Sequence, residues 1–315
     1  MPLDPQVEEL LGQFRSLGFP GFASMQVEDA RALFAAMERP AGEPVGGVED
    51  RTVPGPGGEI PVRLYRPLEP AGAGAPIVVF FHGGGWTVGS IDGHDLLCRA
   101  LTNRARCVLV SVDYRLGPEH RFPAAVDDAW AATVWAAEHA AELGADPGRL
   151  VVAGDSAGGT LAAVVAIQAR DAGGPPIAYQ YLIYPATDLR RRDWPSYAEN
   201  GTGYFLEVRD MEWFAGHYLR TPADADDWRA SPAAARDHTG LPPALIQTAE
   251  YDPLRDQGEA YRDLLSAAGV PAKAVRYPGM IHGFLSLDVL DASKTALEDA
   301  AAEVRSTLGL EAAPA

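Results

Sequence analysis

The stretch Gly154-Asp155-Ser156-Ala157-Gly158 decides the fold of this chain, because it has the pattern G-x-S-x-G. This pattern marks a tight strand-to-helix turn that exposes a serine nucleophile. The apolar run 150–153 precedes it and is typical of a buried strand, and the small-residue run 160–170 favours a helix. Ser156 is therefore expected at a helix N-terminus, where backbone N–H groups stabilise negative charge. Taken alone, the pattern also fits a glycine-rich turn that binds phosphate.

A glycine run upstream of the serine offers candidate backbone donors for an oxyanion. His82-Gly83-Gly84-Gly85-Trp86 directly follows the apolar run 77–81. Acyl transfer needs N–H donors that point at the oxyanion of the tetrahedral intermediate, and glycines let the backbone approach it closely. We expect the N–H groups of Gly83, Gly84 and Ala157 to be these donors. His82 is expected to brace the glycine loop.

An acid and a base follow downstream in the order required. Asp252 comes three residues after a predicted strand at 244–249, and His282 follows a predicted strand at 273–277 and a turn at 278–279. The order Ser156, Asp252, His282 is that of α/β hydrolases. Two alternatives apply to the acid: Asp188 follows another strand, and Pro253 is typical of a helix that Asp252 merely caps.

Together these motifs resemble those of the bacterial hormone-sensitive-lipase-like esterases, also called family IV carboxylesterases. Further segments that resemble this family are residues 114–125, 200–206, 213–214 with 217–219, 252–256 and 279–284. The resemblance implies an α/β-hydrolase fold and a serine carboxylesterase with a Ser156–His282–Asp252 triad. It also implies short- to medium-chain acyl esters as substrates, no cofactor, and a monomer or homodimer.

Alternating apolar runs and helical patterns predict an α/β fold with a mostly parallel eight-stranded sheet, helices on both faces and a helical cap. The turn at 54–58 predicts an antiparallel hairpin at one edge. We expect N-terminal cap helices in residues 1–45, a catalytic core in 46–188 and 226–315, and a cap insertion in 189–225.

The walls above the serine choose the substrate. Large apolar side chains near the motifs are the candidates for this lining, although each also fits a plain core position. They are Trp86, Phe205, Leu206, Phe214 and Phe284.

Composition excludes several classes of function. The 315 residues include 43 Asp and Glu against 26 Lys and Arg, a net charge of −17. This acidity argues against binding to nucleic acid or anionic membranes. The N-terminus lacks the pattern of a signal peptide, and no apolar run is long enough to span a bilayer. No cluster of His, Cys or Asp residues has the spacing of metal ligands, so we expect no bound metal. Cys98 and Cys107 are expected to be reduced, as in a cytoplasmic protein.

Two other functions fit the same fold. Aryl formamidases cleave an amide with a similar triad and a similar histidine–glycine segment. Plant gibberellin receptors resemble the family but lack the catalytic histidine, whereas His282 is present here. A fold alone does not determine function, so these alternatives are separated by activity measurements.

Overall fold

The chain forms one α/β unit around a single sheet, in a computed structural model that describes residues 2–37, 42–69 and 74–310. Within these residues the strands are β1 (Gly47–Gly55), β2 (Gly58–Arg66), β3 (Ala75–Phe81), β4 (Val108–Val112), β5 (Ala145–Asp155), β6 (Ile177–Ile183), β7 (Ala244–Tyr251) and β8 (Ala272–Ile281). The helices are α1 (Pro5–Ser16), α2 (Val27–Met37), α3 (Asp95–Ala105), α4 (Ala124–His139), α5 (Ala157–Ala172), α6 (Pro195–Asn200), α7 (Val208–Tyr218), α8 (Arg255–Ala267) and α9 (Asp291–Thr307).

The strand order across the sheet is β1-β2-β4-β3-β5-β6-β7-β8. β2 pairs antiparallel with both β1 and β4, whereas the pairs from β4 across to β8 are parallel. Parallel strands end at the same edge of a sheet, so the loops after β3, β5, β7 and β8 open together. The eight-stranded, mostly parallel sheet and its antiparallel hairpin are as expected from the sequence.

Both faces of the sheet are buried. Along β3, Ile77, Val79 and Phe81 belong to a core that includes α4, α5 and α8, while Val78 and Phe80 belong to a second core with α3 and α9. Successive strand residues point to opposite faces, so a continuous apolar strand needs helices on both sides. These two cores hold the strand ends, and the loops beyond them, in fixed positions.

The last strand departs from the expectation of a turn at residues 278–279. β8 continues through Pro278 to Ile281, and a register shift against β7 absorbs the irregularity. Gly279 has a φ of 71°, which glycine adopts easily. β8 is the edge strand of the sheet, where a proline is tolerated although it has no N–H.

The two segments expected to form the cap touch each other. The backbone N–H of Ala23 donates to the buried Asp210 of α7 at 2.8 Å. The division of the chain into cap and core at residues 45, 189 and 225 stays a prediction. Residues 38–41, at the end of the expected N-terminal cap segment, and the C-terminal residues 311–315 lie outside the described residues.

No helix in the described ranges combines the length and the apolar character needed to cross a bilayer.

Candidate active site

The serine turn joins β5 directly to α5. Ser156 has φ 53° and ψ −117°, which few residues other than glycine adopt. Its N–H donates to the carbonyl of Ile183 at 2.8 Å, which fixes the turn against β6. A Cβ atom on Gly154 or Gly158 would overlap backbone atoms, so both positions require glycine. The turn therefore presents the Ser156 side chain beyond the sheet edge.

His282 lies between the serine and an acid. Its Nε2 is 2.9 Å from the Ser156 Oγ, and its Nδ1 is 2.7 Å from one carboxylate oxygen of Asp252. Asp252 is fully buried and His282 is 6% exposed. The structure thus brings the three residues together, although the serine and histidine are 126 positions apart.

The second oxygen of Asp252 accepts the N–H of Leu254 at 2.7 Å. Asp252 therefore both orients the histidine and closes the turn before α8, which begins at Arg255 and not at Pro253. The alternative acid, Asp188, pairs with Arg190 at 2.9 Å and does not contact His282.

The glycine loop differs from expectation at Gly83. Its N–H donates to a carboxylate oxygen of Asp155 at 2.7 Å, so it is not available to an oxyanion. The assignment of Gly83 as a donor is therefore not kept. In the described part of the chain the N–H groups of Gly84, Gly85 and Ala157 have no acceptor, and all three residues line the cavity above Ser156.

His82 lies beneath this loop and away from the serine. Its Nδ1 is 2.7 Å from the Gly83 carbonyl oxygen, and its ring stacks on Tyr114 with centroids 4.4 Å apart. Burial, with a contribution from nearby His94, lowers the pKa of His82 to about 4. A neutral, buried ring in this place supports the loop by packing.

A second buried pair was missed by sequence reasoning. Asp155 and His94 are 5% and 6% exposed, and His94 Nε2 is 3.2 Å from the Asp155 carboxylate. Asp155 carries the only available signal, because it is a charged residue at the end of an apolar strand next to Ser156.

A cavity of about 200 Å³ opens above the serine. Four of the five predicted lining residues border it: Trp86, Phe205, Leu206 and Phe214. Phe284 does not, because it is fully buried and packs on Tyr184 and Tyr277 with ring centroids 5.9 and 5.2 Å apart. Gly283, with φ 82°, turns the chain so that Phe284 enters the core below. The prediction for Phe284 was wrong.

Three further phenylalanines come from the N-terminal region and were missed. Phe14, Phe22 and Phe34 line the cavity together with the cap residues. Phe22 lies at the centre of this wall, with ring centroids 5.6 Å from Phe34 and 5.3 Å from Phe214. The three residues lie on α1, on a short helical turn at Phe22–Ser24 and on α2, so only the folded chain brings them together.

The cavity is largely apolar. Among the residues that the structure describes, no lysine or arginine borders it, and the titratable lining residues are Asp92, His94, Asp155 and His282. The described residues contain no group of three or more potential ligands able to hold a metal ion. The arrangement offers a nucleophile, a base, an acid and backbone donors to an uncharged substrate.

Comparisons with known proteins agree with this arrangement. A family model for the alpha/beta hydrolase fold matches residues 78–286. The chain is 47% identical over 298 residues to the carboxylic ester hydrolase LipN of Mycobacterium tuberculosis, covering 90% of this chain and 77% of that protein. It is 43% identical over 270 residues to the ethyl acetate hydrolase of Pseudomonas putida, covering 84% and 83%.

A solved structure extends the similarity to the whole fold. The hyperthermophilic esterase from the archaeon Pyrobaculum calidifontis superposes with a TM-score of 0.90 at 45% identity. The match covers 99% of this chain and 100% of that one.

Proposed function

The chain belongs to the α/β hydrolases, among the hormone-sensitive-lipase-like esterases, and from this membership we propose that Ser156, His282 and Asp252 form its catalytic triad. The protein is a carboxylic ester hydrolase. The observation that carries the residue assignment is the continuous chain of hydrogen-bond contacts from Ser156 through His282 to Asp252, at 2.9 and 2.7 Å.

The triad performs acyl transfer in two halves. Ser156 Oγ attacks the ester carbonyl carbon while His282 Nε2 takes its proton, and Asp252 stabilises the imidazolium that forms. His282 then donates that proton to the leaving alkoxide, which departs as an alcohol and leaves an acyl-enzyme. A water molecule, deprotonated by His282, releases the carboxylic acid and restores the serine.

Backbone donors stabilise the oxyanion that appears in both halves. We assign this role to the N–H groups of Gly84 and Ala157, and add Gly85 in place of Gly83. Each such donor is worth about 10²–10³ in rate at a comparable site. The assignment is supported by their places in the cavity wall and by their lack of an acceptor among the described residues.

The substrates we propose are esters with short to medium acyl chains. The cavity of about 200 Å³ has an apolar, phenylalanine-rich lining, which suits a small uncharged ester. The similarity to an ethyl acetate hydrolase supports the short end of this range.

Replacement of the proposed nucleophile tests the assignment. Ser156→Ala should lower kcat for p-nitrophenyl butyrate by about 10⁴-fold or more, and Asp252→Asn by about 10⁴-fold, since the histidine loses its partner. Ser111→Ala is the control, because Ser111 is a buried serine of β4 that does not border the cavity. Retained hydrolysis in Ser156→Ala would refute the triad.

Parallel kinetics separate the ester from the amide alternative. We expect kcat/KM for butyrate and acetate esters to exceed that for N-formylkynurenine. A higher value for the formamide would favour the aryl formamidase alternative, and ligand binding without turnover of any ester would favour a receptor.

A further inference from the structure

A buried carboxylate connects the two sides of the proposed oxyanion site. Asp155 directly precedes Ser156, and its side chain accepts the N–H of Gly83 at 2.7 Å. Gly83 directly precedes Gly84 in the glycine loop. One hydrogen bond therefore joins the turn that carries Ser156 and Ala157 to the loop that carries Gly84.

His94 holds this carboxylate in place. Its Nε2 lies 3.2 Å from the Asp155 carboxylate and 3.3 Å from the Gly83 nitrogen, while its Nδ1 lies 3.2 Å from the carbonyl oxygen of Ser90. The ring is thus fixed at both nitrogens, and its second contact anchors it to the segment just before α3.

Each partner favours the charged form of the other although both are buried. Burial opposes protonation of His94, but the Asp155 carboxylate raises the His94 pKa above its ordinary value overall. Burial likewise opposes ionisation of Asp155, yet His94, His82 and the Gly83 N–H together lower its pKa. A carboxylate that accepts an N–H as an anion holds it more firmly than a neutral acceptor does.

A contribution to stability alone does not explain this pair. Buried ion pairs lose solvation, and apolar side chains of similar size are often at least as stabilising. What an apolar residue at position 155 cannot do is accept the Gly83 N–H and so restrain the glycine loop.

We propose that Asp155, held by His94, is a positioning residue that sets the spacing between the Gly84 and Ala157 N–H groups. The proposal rests on the proposed function, since it concerns the oxyanion site of that same reaction. Without the Asp155 carboxylate the Gly83 N–H keeps only the longer contact of 3.3 Å with His94 Nε2, and the loop no longer presents Gly84 at a fixed distance from Ala157. Stabilisation of the oxyanion should fall while substrate binding is retained.

A comparison of an ester with its thionoester tests this role. The sulfur of a C=S group accepts hydrogen bonds poorly, so hydrolysis of a thionoester gains little from a well-placed oxyanion site. Asp155→Ala should lower kcat for p-nitrophenyl butyrate by about 100-fold with KM changed less than about threefold. The thionoester should lose less than about tenfold, so the ratio of the two rates should shrink by about tenfold or more.

Three variants complete the experiment. Asp155→Asn keeps an oxygen that can accept the Gly83 N–H, and should recover kcat to within about tenfold of the unaltered protein. His94→Ala should lower the ester-to-thionoester ratio, as Asp155→Ala does. If Asp155→Ala does not fold, His94→Ala provides the test in its place. Asp128→Ala is the matched control: it removes an equally buried carboxylate whose partner is Arg115, and should lower Tm without changing the ratio.

The proposal is overturned if folded Asp155→Ala and His94→Ala keep the ester-to-thionoester ratio of the unaltered protein. This holds whether neither rate falls or both rates fall by the same factor. These outcomes differ from failure of the triad. If Ser156→Ala stays active, the proposed function is wrong; if Ser156→Ala is inactive and Asp155→Ala keeps the normal ratio, only the positioning role is wrong.

Discussion

Ser156 is held in a backbone conformation that costs about 1–3 kcal/mol wherever a residue with a Cβ adopts it. The hydrogen bond from its N–H to Ile183 and the close packing of Gly154 and Gly158 maintain it. The strained turn projects the side chain out of the sheet toward His282. The G-x-S-x-G motif is enough to predict this turn from the sequence, because the turn geometry needs glycines at fixed positions.

Other residues could not be assigned from the sequence. Gly83 and Gly84 are neighbours of identical type, and only the 2.7 Å contact with Asp155, 72 positions away, distinguishes them. Phe284 follows His282 by two positions, but the turn at Gly283 directs it into the core. Long-range contacts decide such cases, and a pattern of residue types does not contain them.

His82 makes stability depend on pH. Its pKa is lowered to about 4 by burial, against about 6.5 in an unfolded chain. Between these pH values the unfolded chain binds more protons, so the free energy of unfolding falls as pH falls from about 6.5 to about 4. The His82 contribution to this fall is about 3 kcal/mol and is complete below pH 4.

Urea unfolding at pH 7, 5.5 and 4.5 measures this effect. His82→Asn should show a shallower loss of stability with falling pH than the unaltered protein. The exposed histidine variant His120→Asn is the matched control and should keep the original slope. Equal slopes for all three proteins would contradict the assignment.

Arg31 is the main polar link between α2 and the core. Its guanidinium forms two 2.7 Å hydrogen bonds with Glu119 and contacts the carbonyls of Thr87 and Gly117 at 3.0 and 2.9 Å. Thr87 follows the glycine loop, and Phe34 of α2 lines the cavity. One planar side chain thus fixes a wall of the cavity relative to the proposed oxyanion donors.

Arg31→Lys should loosen α2 because an ammonium cannot form this fork. We expect faster hydrogen exchange across residues 27–37 and a KM for hexanoate esters raised by a few-fold, with kcat for acetate nearly unchanged. The stability loss should stay below about 1 kcal/mol because the pair is partly exposed. Arg51→Lys, which removes an exposed pair with Glu49 on β1, should change neither exchange nor KM. Identical results for the two variants would contradict the role of Arg31.

The same pair has a defined pH range. Arg31 lowers the pKa of Glu119 to about 2, mainly through their side-chain hydrogen bond. Its stabilisation is therefore present above the ordinary glutamate pKa of about 4.3 and is lost as pH falls toward 2.

Across the whole molecule, the sequence predicts the sheet better than the cavity. The eight-stranded sheet forms as expected, because its central strands β3 and β4 are buried along their whole length and need cover on both faces. The serine, acid and base follow from their places after β5, β7 and β8, since parallel strands bring those loops to one edge. The cavity wall depends on how α1 and α2 lie over that edge, and Phe14, Phe22 and Phe34 gave no separate signal.

The central claim is that one nucleophile, Ser156, performs acyl transfer, and active-site phosphonylation tests it most directly. After reaction with a fluorophosphonate, intact-protein mass should rise by one phosphonyl group, and peptide mapping should locate it on Ser156. Ser156→Ala should take up no label under the same conditions. A label on any other residue, or labelling of Ser156→Ala at the normal rate, would contradict the account.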